Sequence, residues 1–173
     1  MDIEERLVKG NQNYVDSVAH NEELSSHFKS LSNGQKPYAL IICCSDSRVV
    51  PELIFNTTAG ELFVIRTAGN VINEGELATI EYAIEHLHIQ YILVLGHTHC
   101  GAVHASIHNE KGMYLSPILD NIKNNIKDIH NEKEASIMNA LKQKEYILSK
   151  FPHYQGQIKH ALYNIETLAV KIY

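Results

Sequence analysis

The period of the hydrophobic and polar positions changes several times along the chain. Ile3, Leu7, Tyr14 and Val18 recur at helical spacing, and Leu24, Phe28 and Leu31 do so again, which predicts two N-terminal helices before Gly34 and Pro37 close the region. Over residues 38–43 the pattern becomes a continuous apolar run, the form expected of a strand covered on both faces in a parallel sheet. Residues 62–65 and 91–95 repeat it. Between those two runs, Asn73 followed by Glu76 makes a capping-box start, and Leu77, Ile80, Ile84 and Leu87 supply an apolar helical stripe. Strand, helix and strand alternate, which argues for an α/β fold with a central, mainly parallel sheet flanked by helices. Residues 114–150 read as helical, with Ile118, Ile122, Ile126 and Ile129 on one stripe and Ile137, Leu141 and Leu148 on another. Residues 161–173 read as a returning strand.

No internal repeat and no Pro/Ser-rich linker interrupts this order. The expectation is a single domain over residues 1–173: N-terminal helices at 1–33, a core carrying the chemistry at 38–108, and helices with a final strand at 114–173. A hydrophobic fraction of 45% with only 9 Gly and 4 Pro fits one packed core. The net charge of −5, with Lys and Arg scattered, offers no basic face for a phosphate backbone, so nucleic acid is not an expected partner. The acidic start has no basic region leading into an apolar one, and no apolar run approaches the roughly 20 residues a bilayer span needs. A cytoplasmic protein without membrane attachment is expected.

Three cysteines in such a compartment point to metal binding or catalysis before disulfides. Directly after the first apolar run stands Cys44-Ser45-Asp46-Ser47-Arg48, and directly after the third stands Gly96-His97-Thr98-His99-Cys100-Gly101. Ligands of open α/β sheets collect at the carboxyl ends of strands where strand order reverses. If the first and third strands are neighbours, the two loops meet there. Cys44, His97 and Cys100 would then offer two thiolates and an imidazole, a set that suits tetrahedral Zn2+ and leaves one position open. Water bound at such a position drops in pKa from about 15.7 to about 7 and becomes hydroxide at neutral pH.

Asp46 has two readings at this point. It can complete the coordination sphere of a purely structural metal. Alternatively, Arg48 can engage it bidentately and hold it off the metal, free to accept a hydrogen bond from a metal-bound hydroxide and orient it. Spacing alone leaves both open. Cys43, on a strand beside Cys44, should face the opposite side and act as a small buried hydrophobe. His99, His104 and His108 lie near the second loop and have the chemistry to carry protons, although surface or helix-packing roles are the commoner fate of such residues.

The motifs then identify a resemblance. The chain is similar to the β-class carbonic anhydrases in Leu7-Val8-Lys9-Gly10-Asn11, in Cys44-Ser45-Asp46-Ser47-Arg48-Val49, and in Gly60-Glu61-Leu62-Phe63-Val64-Ile65-Arg66-Thr67-Ala68-Gly69-Asn70. The likeness continues through Glu81-Tyr82-Ala83-Ile84-Glu85-His86-Leu87 and Val94-Leu95-Gly96-His97-Thr98-His99-Cys100-Gly101-Ala102. It implies reversible hydration of carbon dioxide to bicarbonate and a proton by zinc-bound hydroxide, with Cys44, His97 and Cys100 as zinc ligands. Asp46 and Arg48 would be the catalytic dyad, and Gly101 would offer its backbone N–H to the substrate. Relatives that hydrolyse carbonyl sulfide or carbon disulfide, and a zinc-stabilised module without activity, are the alternatives. The resemblance further implies a homodimer or tetramer in which N-terminal helices pack on a partner subunit. Thr67 stands where many relatives have Asn. Ile41 and Cys43 occupy the places of a Trp and Gly that serve bicarbonate regulation in some bacterial members, so an open, unregulated site is expected.

Overall fold

The computed structural model describes residues 2–173, whose contacts divide between two compact units, one ending at Gln35 and the other running from Lys36 to Tyr173. The first unit is a pair of helices, α1 (Ile3–Ala19) and α2 (Glu22–Leu31). Asp2 starts α1 with a reciprocal capping box: its carboxylate accepts the Glu5 N–H at 2.8 Å, and the Glu5 carboxylate accepts the Asp2 N–H at 3.0 Å. Asn21 caps α2 through Leu24 N–H. Tyr14 and Phe28 meet edge to face, with ring centroids 5.9 Å apart. α1 buries none of its residues, and Ile3, Leu7, Val8, Tyr14 and Val15 stay exposed.

The second unit is built on a five-stranded sheet in the order β2-β1-β3-β4-β5. Its strands are β1 (Ala39–Cys44), β2 (Leu62–Thr67), β3 (Tyr91–His97), β4 (Gln157–Tyr163) and β5 (Val170–Ile172). The first four pair in parallel and β5 returns antiparallel. β1 is buried along its whole length, as its unbroken apolar run requires. Alternate residues feed two layers. Leu40, Ile42, Ile92 and Val94 pack with Ile80 and Ala83 of α4 (Glu74–Glu85) and with Ala140 and Ile147 of α7 (Glu132–Lys150). Ile41, Cys43, Leu93 and Leu95 pack on the other face with Val49 and Tyr163. Each fully buried Leu or Ile contributes on the order of 2 kcal/mol. Cys43 therefore lies on the opposite side from Cys44, and burial pushes its thiol up to about 12, so it stays protonated and inert. Among the described residues no helix is long and apolar enough to cross a membrane.

Three features depart from the periodicity reading. The tail forms two strands rather than one: Asn164 closes an Asx turn by accepting from Glu166 N and Thr167 N, and the chain doubles back to β5. α3 (Pro51–Ile54) and α5 (Gly101–Ile107) leave no periodic signal, because elements of four and seven residues hardly register a 3.6-residue period. Finally, the long helical stretch breaks after α6 (Ser116–Ile126), where Lys127 takes a positive φ of 49° and Asn131 caps α7. The stripe expected on α7 is not its buried face. Leu148 is exposed, while Ala135, Ser136, Asn139, Ala140, Gln143 and Ile147 are buried. Close approach explains the choice of small residues, since a Cβ on Gly96 of β3 would sit 2.9 Å from the Ser136 carbonyl. The buried carboxamides are tolerated because each finds hydrogen-bond partners.

His160 of β4 has a stability consequence. It is buried, its Nδ1 has no partner, and it stacks on Tyr173 at 5.3 Å. Burial, then the charge of Lys144, lowers its pKa against a weaker opposing pull from Glu145. A histidine depressed in the folded state takes up its proton more readily when unfolded. Its contribution is therefore complete above the unfolded value near 6.5 and is lost as pH falls below it toward the folded pKa. Urea titrations of the parent are expected to show stability declining on acidification from about pH 7. His160→Phe should flatten that slope, and an unchanged slope would exclude His160 as its source.

Candidate metal centre

Because β1 and β3 are adjacent and parallel, with Cys43 opposite Leu95, their carboxyl ends deliver Cys44 and His97 to the same end of the sheet. The chain then turns through His99, at φ 55°, and returns Cys100 as the residue preceding α5. Cys44, His97 and Cys100 are all buried, and their ligand atoms lie within 4.8 Å of one another, with the two sulfurs 4.0 Å apart. Among the described residues this is the one group of three or more metal-binding side chains that so converges.

His97 is fully buried, and its Nδ1 lies 2.9 Å from the Thr98 carbonyl. A carbonyl only accepts, so Nδ1 carries the proton and the lone pair is left on Nε2. That Nε2 is buried without a partner, the condition of a nitrogen prepared to bind a cation. The two sulfurs share one hydrogen bond that either thiol can donate, so it favours a thiolate at one of the pair, while burial and the charge of that first thiolate oppose a second. One thiolate exists readily, and the second requires a cation. Two sulfurs and an orphaned imidazole nitrogen fit Zn2+, which binds such donors as thiolates and neutral imidazole.

Asp46 does not reach for the cluster. Its Oδ1 accepts both Arg48 N and Nε at 2.9 Å, and its Oδ2 accepts Arg48 Nη2 at 2.7 Å. Arg48 Nη2 also donates to the His99 carbonyl at 3.1 Å, which ties the first loop to the second. This bidentate clamp, first of all, holds the Asp46 carboxyl well below the usual carboxylate range. Gly101 is the exposed first residue of α5, immediately after Cys100.

Two further residues shape the loops. Arg66, on β2, donates Nη2 to the Asp46 carbonyl at 2.7 Å and Nε to the Cys44 carbonyl at 3.3 Å, pinning the backbone of the first motif. Gly69, at φ 64°, donates its N–H to Cys44 Sγ at 3.3 Å. Both lie inside the segment quoted for the family resemblance, but a charge ending an apolar strand and a glycine in a turn carried no role until their partners were known. Thr67 turns its hydroxyl to the Val71 carbonyl at 2.7 Å. The neighbouring histidines are engaged elsewhere: His104 pairs with Glu132 at 2.6 Å and stacks on His108 at 4.1 Å, and His99 lies 3.4 Å from Glu166.

The sequence profile of the carbonic anhydrase family matches residues 39–170. A carbonic anhydrase from Synechocystis is 48% identical over 108 residues, which cover 57% of this chain and 38% of that protein. The chain spans about half or less of the length of such curated relatives. Among solved structures, the β-carbonic anhydrase CcaA superposes with a TM-score of 0.81 at 34% identity, over 98% of this chain and 86% of that one. A tetrameric β-carbonic anhydrase from Sordaria macrospora gives a TM-score of 0.80 at 25% identity, over 97% and 95%.

Proposed function

The chain belongs to the β-class carbonic anhydrase family, and from that premise we propose that it catalyses the reversible hydration of carbon dioxide to bicarbonate and a proton. The observation that carries this reading is the buried convergence of Cys44, His97 and Cys100, with a bare imidazole nitrogen, beside a carboxylate held by Arg48. Those three residues would hold Zn2+. When bound, the metal would acidify a water on its open side toward neutrality and so supply the nucleophile.

The chain's own residues do the rest. Asp46, ionised and accept-only, takes the O–H of the nucleophile and thereby turns an oxygen lone pair toward the substrate carbon. Arg48 fixes both carboxylate oxygens, so Asp46 neither swings nor protonates at neutral pH. The first N–H groups of a helix have no intrahelical acceptor, and that of Gly101, opening α5, is available to a substrate oxygen. The histidine rings near the second loop have partners of their own, which favours packing roles over proton carriage.

The assembly belongs to the same proposal: a homodimer or tetramer in which α1 covers its exposed Ile3, Leu7 and Val8 against a second copy, as the tetrameric Sordaria macrospora relative encourages. Stopped-flow hydration of carbon dioxide by zinc-loaded protein tests the activity, with carbonyl sulfide and carbon disulfide run beside it. Rapid carbon dioxide turnover is expected. Protein that holds zinc yet hydrates none would leave a non-catalytic metal module, and preference for the sulfur compounds would move the substrate.

A further inference from the structure

Where α6 meets α7, the carboxamides of Asn121, Asn125, Asn139 and Gln143 form a connected line of hydrogen bonds that ends on the metal centre. Gln143 Nε2 donates to Asn121 Oδ1 at 2.7 Å, and Asn125 Nδ2 donates to Asn121 Oδ1 at 3.2 Å and to Asn139 Oδ1 at 3.0 Å. Asn139, fully buried, then donates Nδ2 to the Gly69 carbonyl at 2.8 Å. The same Gly69 donates its N–H to Cys44 Sγ at 3.3 Å. One residue thus carries the carboxamide line on its carbonyl and a candidate metal ligand on its amide.

The Thr67–Val71 bond closes the turn around Gly69, but the bond to the Gly69 carbonyl itself comes from Asn139. The φ of 64° at Gly69 lies in the left-handed region, and a Cβ there would come within 2.6 Å of Ile122 Cδ1, so no side chain can anchor it. Without Asn139 the buried Gly69 carbonyl would lose its partner, and the segment would shift to recover one. The amide would then leave the sulfur. An N–H on a thiolate draws off electron density, stabilises the anion and orients the ligand, as outer partners of metal sites do.

We propose that Asn139 is a positioning residue of the metal centre: it holds the Gly69 segment so that the Gly69 N–H stays on the Cys44 sulfur. This rests on Cys44 being a metal ligand, as proposed above. Asn125, which donates to Asn139 Oδ1, sets which end of the carboxamide faces Gly69. Gln143 belongs to the same line but serves Ile72, whose N–H it accepts at 3.1 Å, and so is the internal control for a merely structural role.

The test compares the parent, Asn139→Leu and Gln143→Leu, each loaded with cobalt(II) or zinc alone. The readouts are the thiolate-to-cobalt charge-transfer band, zinc affinity by chelator competition, and thermal stability. Asn139→Leu is expected to shift the band and weaken zinc binding by about ten-fold or more. Gln143→Leu should lose stability with the band in place. If Asn139→Leu fails to fold, Asn125→Leu at a half-buried position decides by the same measures, with a smaller shift in the same direction. Parental band and affinity in the Asn variant that folds, or an equal shift in Gln143→Leu, would overturn the proposal. A parent with no thiolate band would remove the ligand set itself and the proposal with it, whereas a normal parent band with unaltered variants removes the role of Asn139 alone.

Discussion

Asp46→Asn is expected to lower kcat for carbon dioxide hydration by about 10²-fold or more while leaving bound zinc unchanged. Asn keeps the size of the side chain but replaces one accepting oxygen with a donor, so the group can no longer impose a single orientation on the nucleophile's O–H. It also removes the anion that Arg48 grips from two nitrogens, although Arg48 keeps its bond to the His99 carbonyl and with it the tie between loops. Metal content separates this from the reading in which Asp46 closes the coordination sphere. In that case the variant would shed zinc, and turnover would be absent in the parent as well. Parental turnover in Asp46→Asn would end the orienting role.

His97→Ala should produce the larger loss in metal binding. Structural zinc sites with four protein ligands bind with roughly 10–16 kcal/mol, so one ligand carries about 3 kcal/mol, near two orders of magnitude in affinity. The histidine is fully buried with its Nε2 unpartnered and Nδ1 tied to Thr98, and among the described residues no other His, Asp, Glu or Cys joins the cluster to take its place. Dialysis followed by elemental analysis reads the affinity. Thermal shift on adding zinc reads the coupling to folding, since a ligand bound only by the native state stabilises it by RT ln(1 + L/Kd), L being the free ligand concentration, and so raises Tm more the tighter it binds. The parent should gain stability from zinc and the variant should not. Equal zinc retention in both would mean the ligand set is wrong.

Much of the site was legible because its chemistry is local in sequence. Cys44, Asp46 and Arg48 lie within five positions, and the Arg48 clamp on Asp46 is a contact between residues two apart, which a short loop can hardly avoid making. His97 and Cys100 are likewise three apart at the end of an apolar strand. What joins the two groups is the adjacency of β1 and β3, a condition that the two buried runs leave open and that the strand pairing meets. The buried face of α7 was misjudged for a physical reason: apolar periodicity weighs Ile137, Leu141 and Leu148 above Ser136, Asn139 and Gln143. A carboxamide's burial depends on partners that sequence spacing does not reveal.

Periodicity and motif order were enough for the fold class, the strands that carry the site and the residue types that would meet there, because backbone period and ligand chemistry are properties of short segments. The 4.0 Å approach of the two sulfurs, the bare nitrogen of His97, and the roles of Arg66, Gly69 and Asn139 arose from long-range packing. Each depends on a partner 20 or more positions away or on the absence of one, and such distances are closed by the burial of the whole sheet rather than by any stretch of chain read alone.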